Sequence, residues 1–191
     1  MKKLILSLSL LAFIGSMSVF TSCEAIKKKA KEEAGVDLDF SFDGANATFD
    51  VPVITNLTMT TYPDTVEVPL ELTSQLEAYS NLIGMGDVTS VTVTDMELVI
   101  NNSDANNDAS NFYTALAMMY SDSKPDPIVI STNDVVPDAP ASTIELVPSP
   151  GINLLDYMKT GNKLYYFVGV NMRKPTNKVL NCTLKIKYRV Q

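Results

Sequence analysis

Ser121-Asp122-Ser123-Lys124 has the spacing at which a lysine amine can take the proton of a serine hydroxyl, as in serine–lysine nucleophiles. That chemistry needs a helix start to aim both side chains, and here Pro125 and Pro127 follow at once. The tetrad therefore reads as a turn. In "DANNDAS", Asp104, Asn106, Asp108 and Ser110 fall at alternate positions, as oxygen ligands do in the first half of a calcium loop. Ala109 stands where such a loop requires glycine, and Ala115 where it requires a bidentate glutamate. Asp104, Asn106 and Asp108 remain candidate metal ligands with half a ligand set, and the plainer reading is a polar hairpin loop. The chain has no histidine, which removes the usual general base near neutral pH and the commonest zinc ligand. Its 22 carboxylates supply material for a two-acid hydrolase, but no spacing marks a pair flanking a cleft. No cofactor motif is present, and the chain reads as a non-enzyme.

Charge is distributed unevenly. From Val36 to Met158 there are 19 acids and one base, Lys124, whereas Lys159 to Gln191 holds eight bases and no acid. The net charge of −7 excludes nucleic acid as a partner, since phosphate contacts need clustered lysine and arginine.

The elements that must carry these side chains are mostly strands. From Val36 onward the apolar period is two: Leu38, Phe40 and Phe42 alternate with polar residues, as do Val66, Val68, Leu70 and Leu72. Leu180, Cys182, Leu184, Ile186, Tyr188 and Val190 extend the same pattern, which places Cys182 in a core as an inert thiol. Further strands are predicted at 47–54, 91–101, 127–131, 143–147 and 163–170. Pro69 suits an edge position. "FYTALAMMY" is apolar at both parities and fits strand or helix, with strand preferred. Ser74 with Glu77 makes a capping box for a helix that Gly84 can stop, and Asn153 can cap a single turn ending at Gly161. The predicted fold is an all-β antiparallel sandwich, immunoglobulin-like or jelly-roll-like, over residues 36–191 with one or two short helices. Opposite charges favour facing one another across neighbouring strands, so Lys185, Lys187 and Arg189 place the final strand beside an acidic one. The alternative is a free basic patch.

The first 35 residues differ in kind. Lys2 and Lys3 precede the apolar "LILSLSLLAFI", then small residues lead to Cys23. This is the order of a secretory signal, too short in its apolar core to span a bilayer, which takes about 20 residues. With Thr21 and Ser22 before Cys23, and Phe20 where leucine is usual, the segment resembles a bacterial lipoprotein signal of the Bacteroidetes type. The resemblance implies cleavage of residues 1–22 and diacylation of Cys23, which consumes that thiol and leaves Cys182 as the free cysteine. Residues 23–35 then form a lipidated tether, read as a solvated spacer in preference to a lipid-headgroup site, since four lysines give only modest attraction to anionic headgroups. Many surface-exported lipoproteins of that group carry acids right after the cysteine; the lysines here point to the periplasmic side, and the resemblance implies a lipid anchor in the outer membrane. "PDTV" around Thr65 resembles the Asp-Thr-aliphatic acceptor used for protein O-glycosylation in the same group; read on its own it is a turn before a strand.

The leading functional reading is a non-enzymatic envelope lipoprotein that binds or assembles with another envelope protein. A glycan- or small-ligand-binding module for nutrient capture is the rival, and a carboxylate-dependent hydrolase the third. A flat apolar patch suits the first; an aromatic-lined cleft suits the second. Cys23→Ala is expected to leave the protein soluble or unprocessed. Intact-mass measurement of the membrane fraction checks this, and a mature N-terminus anywhere other than residue 23 would refute it.

Overall fold

The period-two segments form ten strands in the computed structural model, which describes residues 38–44 and 46–191. Cys23, the signal and the tether lie outside the described residues. The strands make two antiparallel sheets packed face to face, an all-β sandwich. Sheet 1 holds β1 (Phe40–Asp43), β2 (Ala47–Val51), β4 (Val91–Ile100), β7 (Thr143–Glu145) and β10 (Leu180–Val190). Sheet 2 holds β3 (Val66–Pro69), β5 (Phe112–Ser121), β6 (Ile128–Asn133), β8 (Val147–Pro148) and β9 (Lys163–Met172).

β10 is the axis of sheet 1. One side of it pairs with β4; the other pairs with β1 and β2, which lie end to end along it. Its alternation is realised without a break: Leu180, Cys182, Leu184, Ile186, Tyr188 and Val190 are all buried, and Lys185, Lys187 and Arg189 are exposed. Sheet 2 runs β3-β9-β5-β6-β8. β3 is its edge, so Pro69 costs no ladder hydrogen bond. The stretch Thr143–Pro148 leaves sheet 1 as β7 and enters sheet 2 as β8, with Leu146 buried at the crossing.

"FYTALAMMY" is strand β5, paired along its length with β9. The first helix differs from the capping-box expectation. α1 spans Leu72–Tyr79, and Ser74 sits inside its first turn, donating to the Glu71 carbonyl oxygen at 2.8 Å. Burial of Leu72 and Leu76, four residues apart on one helix face, explains the earlier start. That start also ends the "VEVPLEL" strand at Pro69 rather than Leu72. Gly84 does not stop α1, which closes at Ser80; it opens the 3-10 turn Met85–Asp87 instead. Asn153 does serve the second helix, α2 (Leu155–Met158). Its Oδ1 accepts from the backbone N–H groups of Leu155 and Val91 at 3.0 and 3.1 Å, tying the turn to sheet 1. Gly161, at φ +111°, has no room for a side chain, because a Cβ would lie 2.1 Å from the Asp122 carboxylate.

Two polar features cross the core. The Tyr166 and Tyr188 hydroxyls, one from each sheet, meet at 2.5 Å, and burial pushes both phenols above their ordinary pKa. Ser131 on β6 is fully buried and its hydroxyl has no partner among the described residues. Cys182 is fully buried too, and burial pushes its thiol up to about 12.

Ser131→Ala is therefore expected to raise stability, since an unsatisfied buried hydroxyl costs about 1–3 kcal/mol. Cys182→Ser is expected to lower it by a similar amount through the same penalty. Urea unfolding midpoints check both, and native Cys182 should react with a thiol reagent far more slowly than in urea.

Candidate functional site

The side chains picked out by spacing are engaged in local structure. Ser121 and Lys124 close a turn, exchanging backbone hydrogen bonds at 3.0 and 3.2 Å. The Ser121 hydroxyl accepts from the Lys124 backbone N–H at 3.1 Å, while the Lys124 ammonium reaches Asp156 at 3.1 Å. The amine is thus committed elsewhere, and no serine–lysine pair is assembled. Asp104 Oδ1 accepts from the Asn106 N–H and the Asn107 amide at 2.9 Å each, and Oδ2 takes the Lys178 ammonium at 2.6 Å. Asp108 accepts from the Ser110 N–H at 2.8 Å and caps the 3-10 turn Ala109–Asn111. Asp104, Asn106 and Asp108 therefore build a hairpin loop out of their own hydrogen bonds. Among the described residues no group of three or more Asp, Glu or Cys is placed to hold a metal ion. Thr65 is exposed in the extended stretch immediately before β3.

The two outer faces of the sandwich have opposite chemistry. On sheet 1, Lys185 stands opposite Glu97, Lys187 opposite Asp95 and Asp43, and Arg189 opposite Ser41. Arg189 clamps Asp39 in a bidentate pair, Nε–Oδ1 2.8 Å and Nη2–Oδ2 2.6 Å. The final strand is thus set beside acidic ones, as charge asymmetry predicts. A groove of about 410 Å³ runs over this ladder, lined by Asp43, Asn46, Asp95, Glu97, Lys185 and Lys187. A second, of about 450 Å³, lies beside Asn106, Lys174 and Asn177. Neither contains an aromatic ring.

On sheet 2 the central outward positions are apolar, while Thr114, Asn171, Lys163 and Glu67 make its ends polar. Leu116, Met118 and Tyr120 of β5 alternate with the buried Ala115, Ala117 and Met119, and Tyr165 and Phe167 of β9 alternate with Leu164, Tyr166 and Val168. Val129 of β6 pairs with Met118 and is 36% exposed. Tyr62, 55% exposed, folds over Gly169, where a Cβ would come within 2.6 Å of its ring. Tyr120 and Tyr165, directly paired across the strands, stack at 4.7 Å with planes 10° apart. Since that separation matches the spacing of adjacent strands, about 4.8 Å, the rings stand on edge and each covers one face of the other. The result is an aromatic and methionine-bearing face. Its signal in the sequence was the very ambiguity of "FYTALAMMY", whose second apolar parity is this face.

The resolved carboxyl shifts are downward. Lys178, then Asn107 and Asn106, hold Asp104 well below the usual carboxylate range; Arg189 lowers Asp39, and Lys174 lowers Asp138. A general acid for glycoside hydrolysis needs the opposite direction.

No protein-family model matches the sequence, and no curated protein matches it. A solved structure of infectious bursal disease virus, Gx strain, is similar over 81% of this chain at 9% identity and a TM-score of 0.25. This chain covers 41% of that one. A likeness of this size carries no argument about function.

Two outcomes follow. Lys185→Glu with Lys187→Glu should lose roughly 0.2–1 kcal/mol per cross-strand pair, and Asp95→Lys with Glu97→Lys should recover it; urea midpoints of the double and quadruple variants test the ladder. A carboxyl whose folded pKa lies below its unfolded value stabilises the fold above the unfolded value and loses that contribution as pH falls through the folded one. Stability should accordingly drop as pH falls below the ordinary carboxyl value of 3.8, and the acid limb should be shallower in Asp39→Asn and Asp104→Asn.

Proposed function

We propose that this chain is an envelope lipoprotein, held at the outer membrane through Cys23 on the periplasmic side, whose sandwich is a non-enzymatic module that binds another protein. The observation that carries the contact surface is the outer face of sheet 2. A solvated sheet face normally alternates to polar residues, and here Leu116, Met118, Tyr120, Tyr165 and Phe167 occupy it. Methionine and aromatic residues are the types enriched where proteins meet. With Val129 of β6 these positions span three strands, and seven residues of length then give roughly 14 by 23 Å, about 300 Å². That is well under the ~800 Å² per partner in a standard stable interface, so the contact is of transient size unless neighbouring loops join it.

The glycan reading expects exposed ring faces lining a cleft. The Tyr120 and Tyr165 rings are stacked and each covers a face of the other, which favours a protein partner. Thr65, exposed beside this sheet, is proposed to carry an O-glycan through its "PDTV" context. Intact mass of the envelope-derived protein tests that, and Thr65→Ala should remove any added hexose-type increment.

Met118→Asp and Phe167→Asp, both outward-facing, should abolish association with the partner while leaving the unfolding midpoint within a few degrees. Retained association in both variants, or binding of an oligosaccharide lost in them, would overturn the protein-contact reading.

A further inference from the structure

The chain from Val51 to Pro63 carries no charged residue. It joins β2 to β3 and is held at both feet. Ile54 is buried, its N–H donating to the Thr176 hydroxyl at 3.0 Å and its carbonyl accepting from the Thr176 N–H at 3.1 Å. Thr61 exchanges backbone hydrogen bonds with Val170 at 2.8 and 2.9 Å. Between these feet the Asn56 side chain accepts from the Thr58 N–H and hydroxyl at 3.0 and 2.8 Å, which sets a turn. Leu57 and Met59 flank Thr58 and are exposed, Met59 at 62%. An apolar tip on a loop so fastened is ready for contact, because little chain freedom is left to lose.

A hollow of matching chemistry lies at the opposite edge of the sandwich. β2 and β3 are neighbouring edge strands, whereas β7 and β8 close the other edge as one continuous stretch. Between β6 and β7, Ala109, Val136, Pro137, Ala139, Ala141 and Ile144 line about 240 Å³. Pro137, Ala139 and Ala141 are exposed, so the hollow opens to solvent. An apolar cavity of about 150 Å³ already holds a benzene-sized molecule, so the Met59 side chain fits with room to spare. Loop and hollow share one end of the molecule. Thr176 holds the loop, while Arg173 and Lys174 of the same connection reach the Val136 carbonyl and Asp138 at 2.6 Å each. β10 starts at that end with Leu180, and Phe40 pairs with Val190 at the other.

We infer that the hollow receives the Leu57–Met59 tip of a second copy of this chain. Because the two parts lie on opposite edges, the contact is head-to-tail and repeats, each copy giving its loop to one neighbour and its hollow to the next. An uncharged loop also brings no like charge to a neighbour in a chain of net charge −7. The inference rests on the reading of Cys23 as the anchor. Residues 23–37 span at most about 50 Å, so every copy is tied to the bilayer at its Phe40 end and presents loop and hollow on the side away from it. Two side chains cover far less than the ~800 Å² per partner of a stable interface. Copies therefore stay apart in solution and join where a shared bilayer raises their effective concentration.

The test uses cysteine pairs in the full-length protein in intact cells, with Cys182 retained because it is buried. Met59→Cys and Ala139→Cys are made singly, together in one chain, and in two differently tagged chains expressed in one cell; a mild oxidant then drives disulfide formation. Expected is a ladder running past the dimer for the double variant, and a dimer of unlike tags for the paired single variants. Each single variant alone should link no more than Gly86→Cys, an exposed site at the Phe40 end. Leu57→Asp added to the double variant should reduce linking at least tenfold while the unfolding midpoint stays in place. Absence of the ladder overturns the inference, as do linking of Met59→Cys or Ala139→Cys to a different protein and a ladder indifferent to Leu57→Asp. The anchor is read separately, from the mature N-terminus by intact mass. A missing ladder on chains that begin at lipidated Cys23 refutes the contact and leaves the anchor standing, whereas a different N-terminus refutes the anchor and the inference together.

Discussion

Sheet 1 depends on one register, that of β10 against its neighbours. Side chains along a strand alternate faces, so a slip of one residue would drive Lys185, Lys187 and Arg189 into the core and expose Leu184, Ile186 and Tyr188. The core-facing row excludes that slip by burial, and the outward row excludes it by charge, with Lys185 opposite Glu97 and Lys187 opposite Asp95. The same strand carries Tyr188 to its contact with Tyr166, so the register of sheet 1 also fixes where sheet 2 sits. A buried hydroxyl pair adds little net stability but is costly to break, which makes it a device for alignment more than for strength.

The two outer faces divide the labour. Sheet 1 shows water a ladder of alternating charge whose members face one another in pairs, which keeps that surface soluble and leaves it little to offer a partner. Sheet 2 differs: the middle of its outward row is apolar, between Thr114 and Asn171 at one end and Lys163 and Glu67 at the other, and Gly169 leaves the hollow into which the Tyr62 ring settles. The loop before β3 is thereby fastened to the face at one point, and its residues 62–65 run beside it.

Most of the sandwich was legible because half-buried antiparallel strands write a period of two. Every strand of four or more residues lies within two or three residues of its expected place, and Cys182 sits where alternation puts it. What misled was local chemistry overruled by burial. Ser74 and Glu77 make a sound capping box, yet helix α1 begins at Leu72 because Leu72 and Leu76 must reach the core together. The aromatic face was not recognised from sequence, because a strand apolar at both parities looks like a buried strand or a buried helix. Only the position of β5 and β9 in an outer layer shows that one parity meets solvent. The anchor at Cys23 is a different kind of inference, resting on signal resemblance and on nothing in the sandwich.

The position of β10 has a consequence for how the domain comes to exist. Phe40 pairs with Val190 and Val51 with Leu180, so the earliest strands of sheet 1 find their partner only when the last one is available. Contacts separated so far along the chain are slow to form, since the entropy of closing the loop is spent before any pairing rewards it. Until residue 180 is free to join, β1, β2 and β4 have no central strand, and a stalled chain displays open edges and an unsealed core. Such a chain is vulnerable to proteolysis and to edge-to-edge aggregation for as long as its keystone is missing.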